Sequence, residues 1–165
     1  MRVYDIYTSP LGEILIVMSE KGLCSLELFK EDWELYLKQN PDLKLDKNHC
    51  AIVTRQLTEY FQGLRQSFDL PLDVKGRSFQ MLVWDYLTTI PYGETCSYQD
   101  VANGIDNPKG VRAVGGACKA NPIPIIIPCH RVIGKNGKLI GYAGDRTWVK
   151  DWLLKHEQKH VKGDK

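Results

Sequence analysis

The first third of the chain consists of short, largely apolar runs separated by residues typical of turns, and this pattern predicts a short antiparallel sheet. The runs are Val3–Tyr7, Ile14–Val17 and Cys24–Leu28, and in the last of them apolar residues alternate with a period of two. A further alternation, over Phe68–Leu72, predicts another strand. We therefore expect an antiparallel meander with one more strand added later in the chain.

Between and after these strands, apolar residues recur with the spacing of a helix. One helix is predicted around residues 53–64, and Ser78 can cap a second one. Near residues 75–77 the character of the chain changes, which predicts a structural α/β domain over residues 1–75 and a second domain over 76–165. The two apolar stripes are Val53, Leu57, Tyr60, Phe61 and Leu64, and then Phe79, Leu82, Val83, Tyr86 and Leu87.

Two further helices follow, joined by a tight turn. Ser97 opens the first, and Asp100 lies three residues later, as in a capping box. The turn Asp106–Pro108 precedes a helix predicted over Lys109–Lys119, with Pro108 in a position that a first helical turn tolerates. Two short helices in this arrangement have the form of a DNA-binding helix-turn-helix, although a plain helical hairpin fits the pattern as well.

The second of these helices carries an unusual pair of glycines in its interior. Gly115 and Gly116 each cost about 1 kcal/mol relative to alanine in a helix. Such a cost needs a reason, and the close approach of another backbone or of a ligand would supply one. Arg112 and Lys119 give the same helix a basic face.

Composition excludes little, but the distribution of charge is informative. The chain has 165 residues, 43% of them hydrophobic, and a net charge of only +2. From Asn107 to Gly144, however, no Asp or Glu occurs, which fits either a phosphate-facing surface or an ordinary solvated face. The basic residues of this stretch are Lys109, Arg112, Lys119, Arg131, Lys135 and Lys138.

Five cysteines, irregularly spaced and without a secretion signal, argue against a disulfide framework. With no apolar run long enough for a membrane span, we expect a cytoplasmic protein with free thiols and no membrane association. His49 and Cys50 with Cys24 could form part of a zinc site, but a structural site needs four ligands, and packed thiols are the alternative.

Cys129 has the most distinctive surroundings of the five. It ends the apolar run Ile123–Ile127, where a buried strand should finish, and it stands in the tetrad Pro128-Cys129-His130-Arg131. A thiol needs a base or a positive environment to become a nucleophile, and His130 is adjacent. Adjacent residues of an extended chain point apart, so a bridging water or a sharp turn would be required. Taken alone, a packed thiol remains the alternative.

Several motifs together resemble one known family. The segments "IPYGETCSYQDVA", "NPKGVRAVGGACKANPIPIIIPCHRVIG", "GYAG" and "WLLKHE" are similar, in content and order, to those of the O6-alkylguanine-DNA alkyltransferases, the methylated-DNA–protein-cysteine methyltransferases, over about residues 78–157. "SPLGEILI" resembles the first domain of the bacterial, Ogt-like form. The resemblance implies an α+β fold, with a small antiparallel sheet domain followed by a helical, winged-helix-like domain.

The resemblance also implies an irreversible transfer of the alkyl group of O6-alkylguanine in double-stranded DNA, and possible action on O4-alkylthymine. Cys129 would accept the alkyl group after base flipping and would react once. His130 would take the thiol proton through a water, oriented by Glu157. Asn121 would support the turn that holds the thiol, and Tyr98 would donate a proton to the departing base.

For DNA, the resemblance implies that Arg112 enters the duplex and fills the gap left by the flipped nucleotide. The helix that bears it would lie in the minor groove. Arg131 would have a structural part. No cofactor and no metal are implied, and a monomer is expected. The remaining DNA-binding residues would be Lys109, Ala113, Gly115, Gly116 and Lys119.

Val132, Tyr142 and Ala143 would line the base pocket. Here the chain departs from the family, because residues Gly141–Asp145 read "GYAGD" in place of the usual "GYxGG", and the following stretch is one residue longer.

A thiol hydrolase, a sequence-specific regulator and a non-repairing damage sensor are the competing functions. Burst kinetics would reveal the first and sequence preference the second, and the third class lacks the reactive cysteine.

Overall fold

The structure is a computed structural model that describes residues 1–137 and 146–161. The chain divides into two compact units, Met1–Val74 and Lys75–Lys165, which are called unit 1 and unit 2 below. No helix among the described residues is long and apolar enough to span a bilayer.

Unit 1 is built on a four-stranded sheet with the strand order β3-β2-β1-β4. The predicted antiparallel meander of three strands is confirmed, and a short fourth strand pairs in parallel with β1. The strands are β1 (Arg2–Ser9), β2 (Gly12–Ser19), β3 (Leu23–Glu27) and β4 (Lys44–Leu45).

The core of unit 1 lies on both faces of β2, whose residues Ile14–Met18 are all buried. Successive side chains of a strand point to opposite faces. Leu15 and Val17 pack with Trp33 of α1 (Lys30–Gln39). The second helix of the unit, α2 (Lys47–Phe61), contacts both β1 and β2. Two helices on one sheet therefore explain why β2 reads as an unbroken apolar run.

The predicted helix around residues 53–64 corresponds to α2, but Leu64 lies beyond its end and is 75% exposed. The strand predicted over Phe68–Leu72 was wrong. Leu72 forms an isolated bridge to Leu23, and the neighbouring Pro71 has no N–H to continue a ladder. The segment therefore runs beside β3 without becoming part of the sheet.

The described part of unit 2 is mainly helical, with one pair of two-residue strands that are parallel to each other. A 3-10 helix at Cys129–Arg131, called the thiol turn below, precedes β6. A second one occupies Lys135–Gly137. The other elements are α3 (Ser78–Leu87), β5 (Cys96–Ser97), α4 (Tyr98–Gly104), α5 (Val111–Lys119), β6 (Val132–Ile133) and α6 (Thr147–Val161).

The predicted fold class, a small antiparallel sheet followed by a helical part with a helix-turn-helix, is confirmed. Details differ at helix ends. Arg77, not Ser78, is the N-cap of α3, and Gln80 accepts a hydrogen bond from the Arg77 N–H at 2.9 Å. Leu82, expected in the buried stripe of α3, is 55% exposed.

The helix-turn-helix is α4 and α5. Ser97 and Asp100 exchange the two hydrogen bonds of a capping box, as predicted. The second helix begins at Val111 with Gly110 as its N-cap, so the prediction that Pro108 lies in its first turn was wrong. Asp106 has a φ of 58°, and this left-handed residue makes the reversal between the helices.

The apolar run before Cys129 does not form the expected strand. Residues 122–127 are turns, closed by a hydrogen bond from the Ile127 N–H to the Ile123 carbonyl at 2.9 Å. Ile125, at the centre, has a φ of 75° although it is β-branched. Such strain persists where the surroundings over-determine the conformation. Here Ile123, Ile125 and Ile127 are all at most 2% exposed.

Candidate active site

The turns before Cys129 place its thiol among polar groups. Asn121 follows the end of α5, and its side-chain N–H group donates to Cys129 Sγ at 3.2 Å and to the Ile127 carbonyl at 2.8 Å. The Asn121 Oδ1 accepts from the Ile123 N–H at 2.9 Å. The segment between α5 and the thiol turn is thus closed on itself by one amide side chain, which fixes the sulfur.

Cys129 is only 4% exposed, and its surroundings determine its protonation state. Burial raises the pKa of the thiol to about 11, while the Asn121 hydrogen bond and the charge of Lys150 act in the opposite direction. At neutral pH the group is therefore a thiol. Nucleophilic chemistry at this sulfur requires a base to accept its proton.

His130, the neighbour of Cys129, is fully buried. Its Nε2 lies 2.7 Å from Glu157 Oε2, and since a carboxylate only accepts, Nε2 carries the hydrogen. The other ring nitrogen, Nδ1, has no hydrogen-bond partner among the described residues. Burial lowers the pKa of His130, against the opposing effect of Glu157, so the ring is neutral and its Nδ1 is a free acceptor.

Glu157 is held by a second partner as well. Arg131 donates to both carboxylate oxygens, from Nε at 2.8 Å and from Nη2 at 3.1 Å, and its Nη1 donates to the Ile90 carbonyl at 2.7 Å. The Gly93 N–H reaches Glu157 Oε1 at 3.3 Å. Burial alone would raise the pKa of the carboxyl, but His130 and Arg131 hold it well below its usual range.

Tyr98 and Lys150 lie next to each other on a second side of the site. Tyr98 begins α4 and is 8% exposed, and Lys150 on α6 is fully buried. The Lys150 ammonium donates to the Tyr98 hydroxyl at 3.4 Å and lies 5.5 Å from the ring centroid. Burial raises the pKa of Tyr98 and lowers that of Lys150, and a thiolate at the nearby Cys129 or Cys118 would raise the pKa of Lys150 again.

Lys150 is the site residue that the sequence reasoning missed. A lysine on a helix is ordinarily exposed, so the residue type alone predicts a solvated side chain. The available signal was its apolar flank, Trp148, Val149 and Trp152.

The strand pair β5–β6 connects the thiol turn to the strand that precedes Tyr98. Val132 pairs with Cys96, so the residue after the thiol turn lies beside the strand that leads into Tyr98. Val132 is fully buried. Tyr142 and Ala143, the other two predicted pocket residues, lie outside the described residues, and so does the departure at Gly141–Asp145.

On α5, Val114 and Cys118 face the interior, whereas the predicted DNA-binding side chains are turned to solvent. Arg112, Ala113, Gly116 and Lys119 are exposed and Gly115 is half-buried. A Cβ added at either glycine would meet no atom of the described residues within 4 Å. Lys109 is also exposed, although it belongs to the turn before the helix. The inner side is fixed by Trp84, whose Nε1 donates to the Ala117 carbonyl at 2.9 Å.

The suggested partial zinc site does not assemble. His49 is exposed and its Nε2 lies 3.0 Å from the Ser19 carbonyl, while Cys24 lies near Asp73 and Cys50 is buried. The described residues contain no group of three or more side chains that could hold a metal ion.

Two family models match the chain. The model described as "6-O-methylguanine DNA methyltransferase, DNA binding domain" matches residues 78–159. The model described as "6-O-methylguanine DNA methyltransferase, ribonuclease-like domain" matches residues 2–74.

Two similar proteins have their similarity spread over nearly their whole length. The constitutive methylated-DNA–protein-cysteine methyltransferase of Bacillus subtilis is 48% identical over 160 residues, covering 96% of each chain. The methylated-DNA–protein-cysteine methyltransferase of Methanosarcina barkeri is 45% identical, over 96% of this chain and 99% of its own length.

Solved structures agree with these matches. The O6-methylguanine methyltransferase of Mycobacterium tuberculosis is 39% identical with a TM-score of 0.88, covering 97% of this chain and 94% of that one. A crystal structure of M. tuberculosis OGT in complex with DNA has a TM-score of 0.86 at 39% identity, covering 95% of this chain and 93% of that one.

Proposed function

We propose that this chain, which belongs to the 6-O-methylguanine DNA methyltransferase family, repairs DNA by moving an alkyl group from O6-alkylguanine to its own Cys129. Family membership makes it a methylated-DNA–protein-cysteine methyltransferase, a transferase, and makes DNA its partner. The identity of the lesion, the acceptor residue and the roles below belong to the proposal.

One observation carries the assignment of the acceptor. Cys129 is the cysteine whose sulfur accepts a hydrogen bond from a fixed amide, that of Asn121, and whose neighbour His130 has a buried, unpartnered Nδ1. Burial raises the pKa of Cys50, Cys96 and Cys118 as it does that of Cys129, so the assignment rests on this geometry.

The reaction proceeds by displacement at the alkyl carbon. His130 accepts the thiol proton at Nδ1 through a bridging water, and Glu157 holds the Nε2–H. The Sγ–C bond forms as the C–O6 bond breaks, and the electron pair of the broken bond passes to guanine. Tyr98 donates a proton to the leaving base and regains one from the imidazolium through solvent, so the thiol proton ends on guanine.

The base must leave the stack for this displacement, because the sulfur is buried and the target atom lies inside a duplex. The exposed face of α5 supports binding in the minor groove. Its small residues would allow close approach, and Arg112, in the first turn of the helix, would fill the vacated space. Lys109 and Lys119 would contact phosphates, whose contribution to affinity is independent of sequence.

The product is a thioether, which hydrolysis does not reverse, so each molecule reacts once. The chain is proposed to act as a monomer in the cytoplasm. Val132, Tyr142 and Ala143 are proposed to line the base pocket.

Mass spectrometry tests this function. We expect incubation with a duplex containing one O6-methylguanine to add one methyl group to the intact protein, on the peptide that contains Cys129. Unmodified duplex of the same sequence is the control. Methylation mainly at Cys24, Cys50, Cys96 or Cys118 would show that the acceptor is wrong, and repeated turnover of an ester substrate would indicate a thiol hydrolase.

A sequence-specific regulator is the competing function outside enzymes. Titration of unmodified duplexes of unrelated sequence at two salt concentrations separates the two. We expect affinity to fall with salt and to vary little with sequence. A preference of roughly a thousandfold for one sequence would favour the regulator.

A further inference from the structure

Arg131 holds the Glu157 carboxylate jointly with His130, and this arrangement has a consequence for proton transfer. We propose that Arg131 is a positioning residue for the reaction: it neutralises Glu157, so that His130 stays uncharged at rest with its Nδ1 open to the thiol proton. The inference rests on the proposed role of His130 as the base. It goes beyond a purely structural part for Arg131.

The geometry gives Arg131 control over the orientation of the carboxylate. A guanidinium that donates from both Nε and Nη2 fixes the carboxylate plane, here at 2.8 and 3.1 Å. Its remaining arm is tied to the Ile90 carbonyl, and the Tyr92 ring lies 5.7 Å from its central carbon. Glu157 Oε2 therefore points at His130 Nε2 at 2.7 Å, which leaves Nδ1 as the free acceptor.

The charges around His130 favour the same role for Arg131. A buried carboxylate beside a histidine favours the imidazolium, and an imidazolium cannot accept the proton of Cys129. Arg131 supplies the compensating positive charge within the same hydrogen-bonded group. Consistent with this, the charge of Arg131 lowers the pKa of His130, against the effect of Glu157 and in addition to that of burial.

Other charged groups face His130 from the elements packed against the thiol turn, which are α3 and α6. From α6 come Glu157 and Lys150, and the charge of Lys150 acts in the same direction as that of Arg131. The charged residue of α3 is Asp85, which is exposed. Within the turn itself, Cys129 and Arg131 are the other titratable groups. Arg131 is hydrogen-bonded to both oxygens of the carboxylate.

The experiment compares four variants with the wild type: Arg131→Met, Arg131→Lys, Glu157→Gln and the double variant Arg131→Met/Glu157→Gln. Proton binding at His130 is followed by nitrogen NMR of histidine-labelled protein, which needs neither DNA nor alkyl transfer. The rate of a single turnover with free O6-benzylguanine is measured across the same pH range, and thermal unfolding reports on the fold.

In Arg131→Met, we expect the His130–Glu157 pair to bind its proton at least about tenfold more tightly. The acidic limb of the rate profile should move to higher pH by the same factor. Arg131→Lys keeps the charge but not the forked contact and should fall between the two. The double variant removes both charges and should bind the proton more weakly than Arg131→Met.

A structural clamp alone predicts something different, namely a lower melting temperature with the proton binding of His130 unchanged. That result in a folded variant would overturn the proposal. If Arg131→Met does not fold, Glu157→Gln and the double variant decide by the same criterion, because Arg131 should still weaken proton binding when residue 157 is neutral. Absence of alkylation at Cys129 with the expected titration shift would refute the proposed function and leave only the effect of Arg131 on the protonation of His130 standing.

Discussion

The two units differ in their net charge and in the polar side chains that they bury. Unit 1 has 8 Lys and Arg against 12 Asp and Glu, a net charge of −4, whereas unit 2 has 14 against 8, a net charge of +6. The buried polar side chains of unit 1 that the structure describes are Asp5, Ser25 and Gln56. Those of unit 2 are all titratable: His130, Arg131, Lys150, His156 and Glu157.

The difference lies in what each buried group does for the backbone. Gln56 exchanges two hydrogen bonds with the main chain of Asp69, at 3.0 and 2.9 Å, and so fastens a loop to α2. In unit 2, Glu157 bonds chiefly to His130 and Arg131, and the buried Nδ1 of His130 is left open. An unsatisfied buried polar atom costs free energy. This open nitrogen therefore lowers the stability of unit 2 but provides the acceptor that the proposed reaction needs.

The largest expected effect separates two of the buried cysteines, Cys129 of unit 2 and Cys50 of unit 1. Cys129→Ser should abolish alkyl transfer and keep both the fold and DNA binding, since the serine hydroxyl can accept from Asn121. Cys50→Ser should keep transfer but lose stability, by about 1–3 kcal/mol for a hydroxyl buried without a partner. Mass spectrometry and urea unfolding measure the two effects. Loss of transfer in both variants would remove the contrast between the units.

The second comparison is between two exposed arginines, one on each unit. Arg112→Ala should slow repair of duplex DNA roughly ten- to a hundredfold, because extruding a base costs a few kcal/mol. It should leave the reaction with free O6-benzylguanine nearly unchanged. Arg55→Ala, an exposed site on α2, is the matched control and should affect neither. Equal losses on both substrates would place Arg112 in the chemistry or the fold.

The third expected effect is a loss of folding stability at low pH. The pKa of His130 is lowered from 6.5 and that of Glu157 from 4.5, so the unfolded chain binds these protons more readily than the folded one. The stability they contribute is present above these values and is lost as pH falls, first below 6.5 and then below 4.5. Urea unfolding of wild type and Glu157→Gln across this range tests it. Identical pH dependence in the two proteins would contradict the assignment.

The smallest effect is expected in unit 1. Gln56→Leu removes the two hydrogen bonds to Asp69 and should lower the free energy of unfolding by about 1–2 kcal/mol. The alkyl-transfer rate should stay at the wild-type value. A matched change in unit 2, Asn121→Leu, should lower both stability and rate, because its amide bonds to the thiol.

The sequence predicted elements well where the apolar pattern is continuous and bounded by turn or capping residues. The meander, α2 and the capping box at Ser97 all follow from local patterns. The helix α1 was not predicted, although Trp33, Tyr36 and Leu37 have helical spacing and pack on the core of unit 1. The prediction of a strand over Phe68–Leu72 was wrong because Pro71 has no N–H to donate to a neighbouring strand, although the residues around it alternate.

In the site, the sequence identified side chains but not their geometry. Cys129, His130 and Glu157 were indicated by resemblance, and the structure brings His130 and Glu157 into contact, with Cys129 alongside. Their roles stay predictions. The left-handed Ile125 and the buried Lys150 could not be read locally, since both depend on packing between segments distant in the chain.

The two glycines of α5 have a consequence for protein engineering. The described part of the fold leaves open space at both positions, and alanine would favour the helix by about 1 kcal/mol at each. A screen for thermal stability would therefore select alanine at residues 115 and 116 and report an improved protein. The added methyl groups would lie on the face of α5 that is proposed to contact DNA. A variant selected for a higher melting temperature would therefore bind and repair DNA less well.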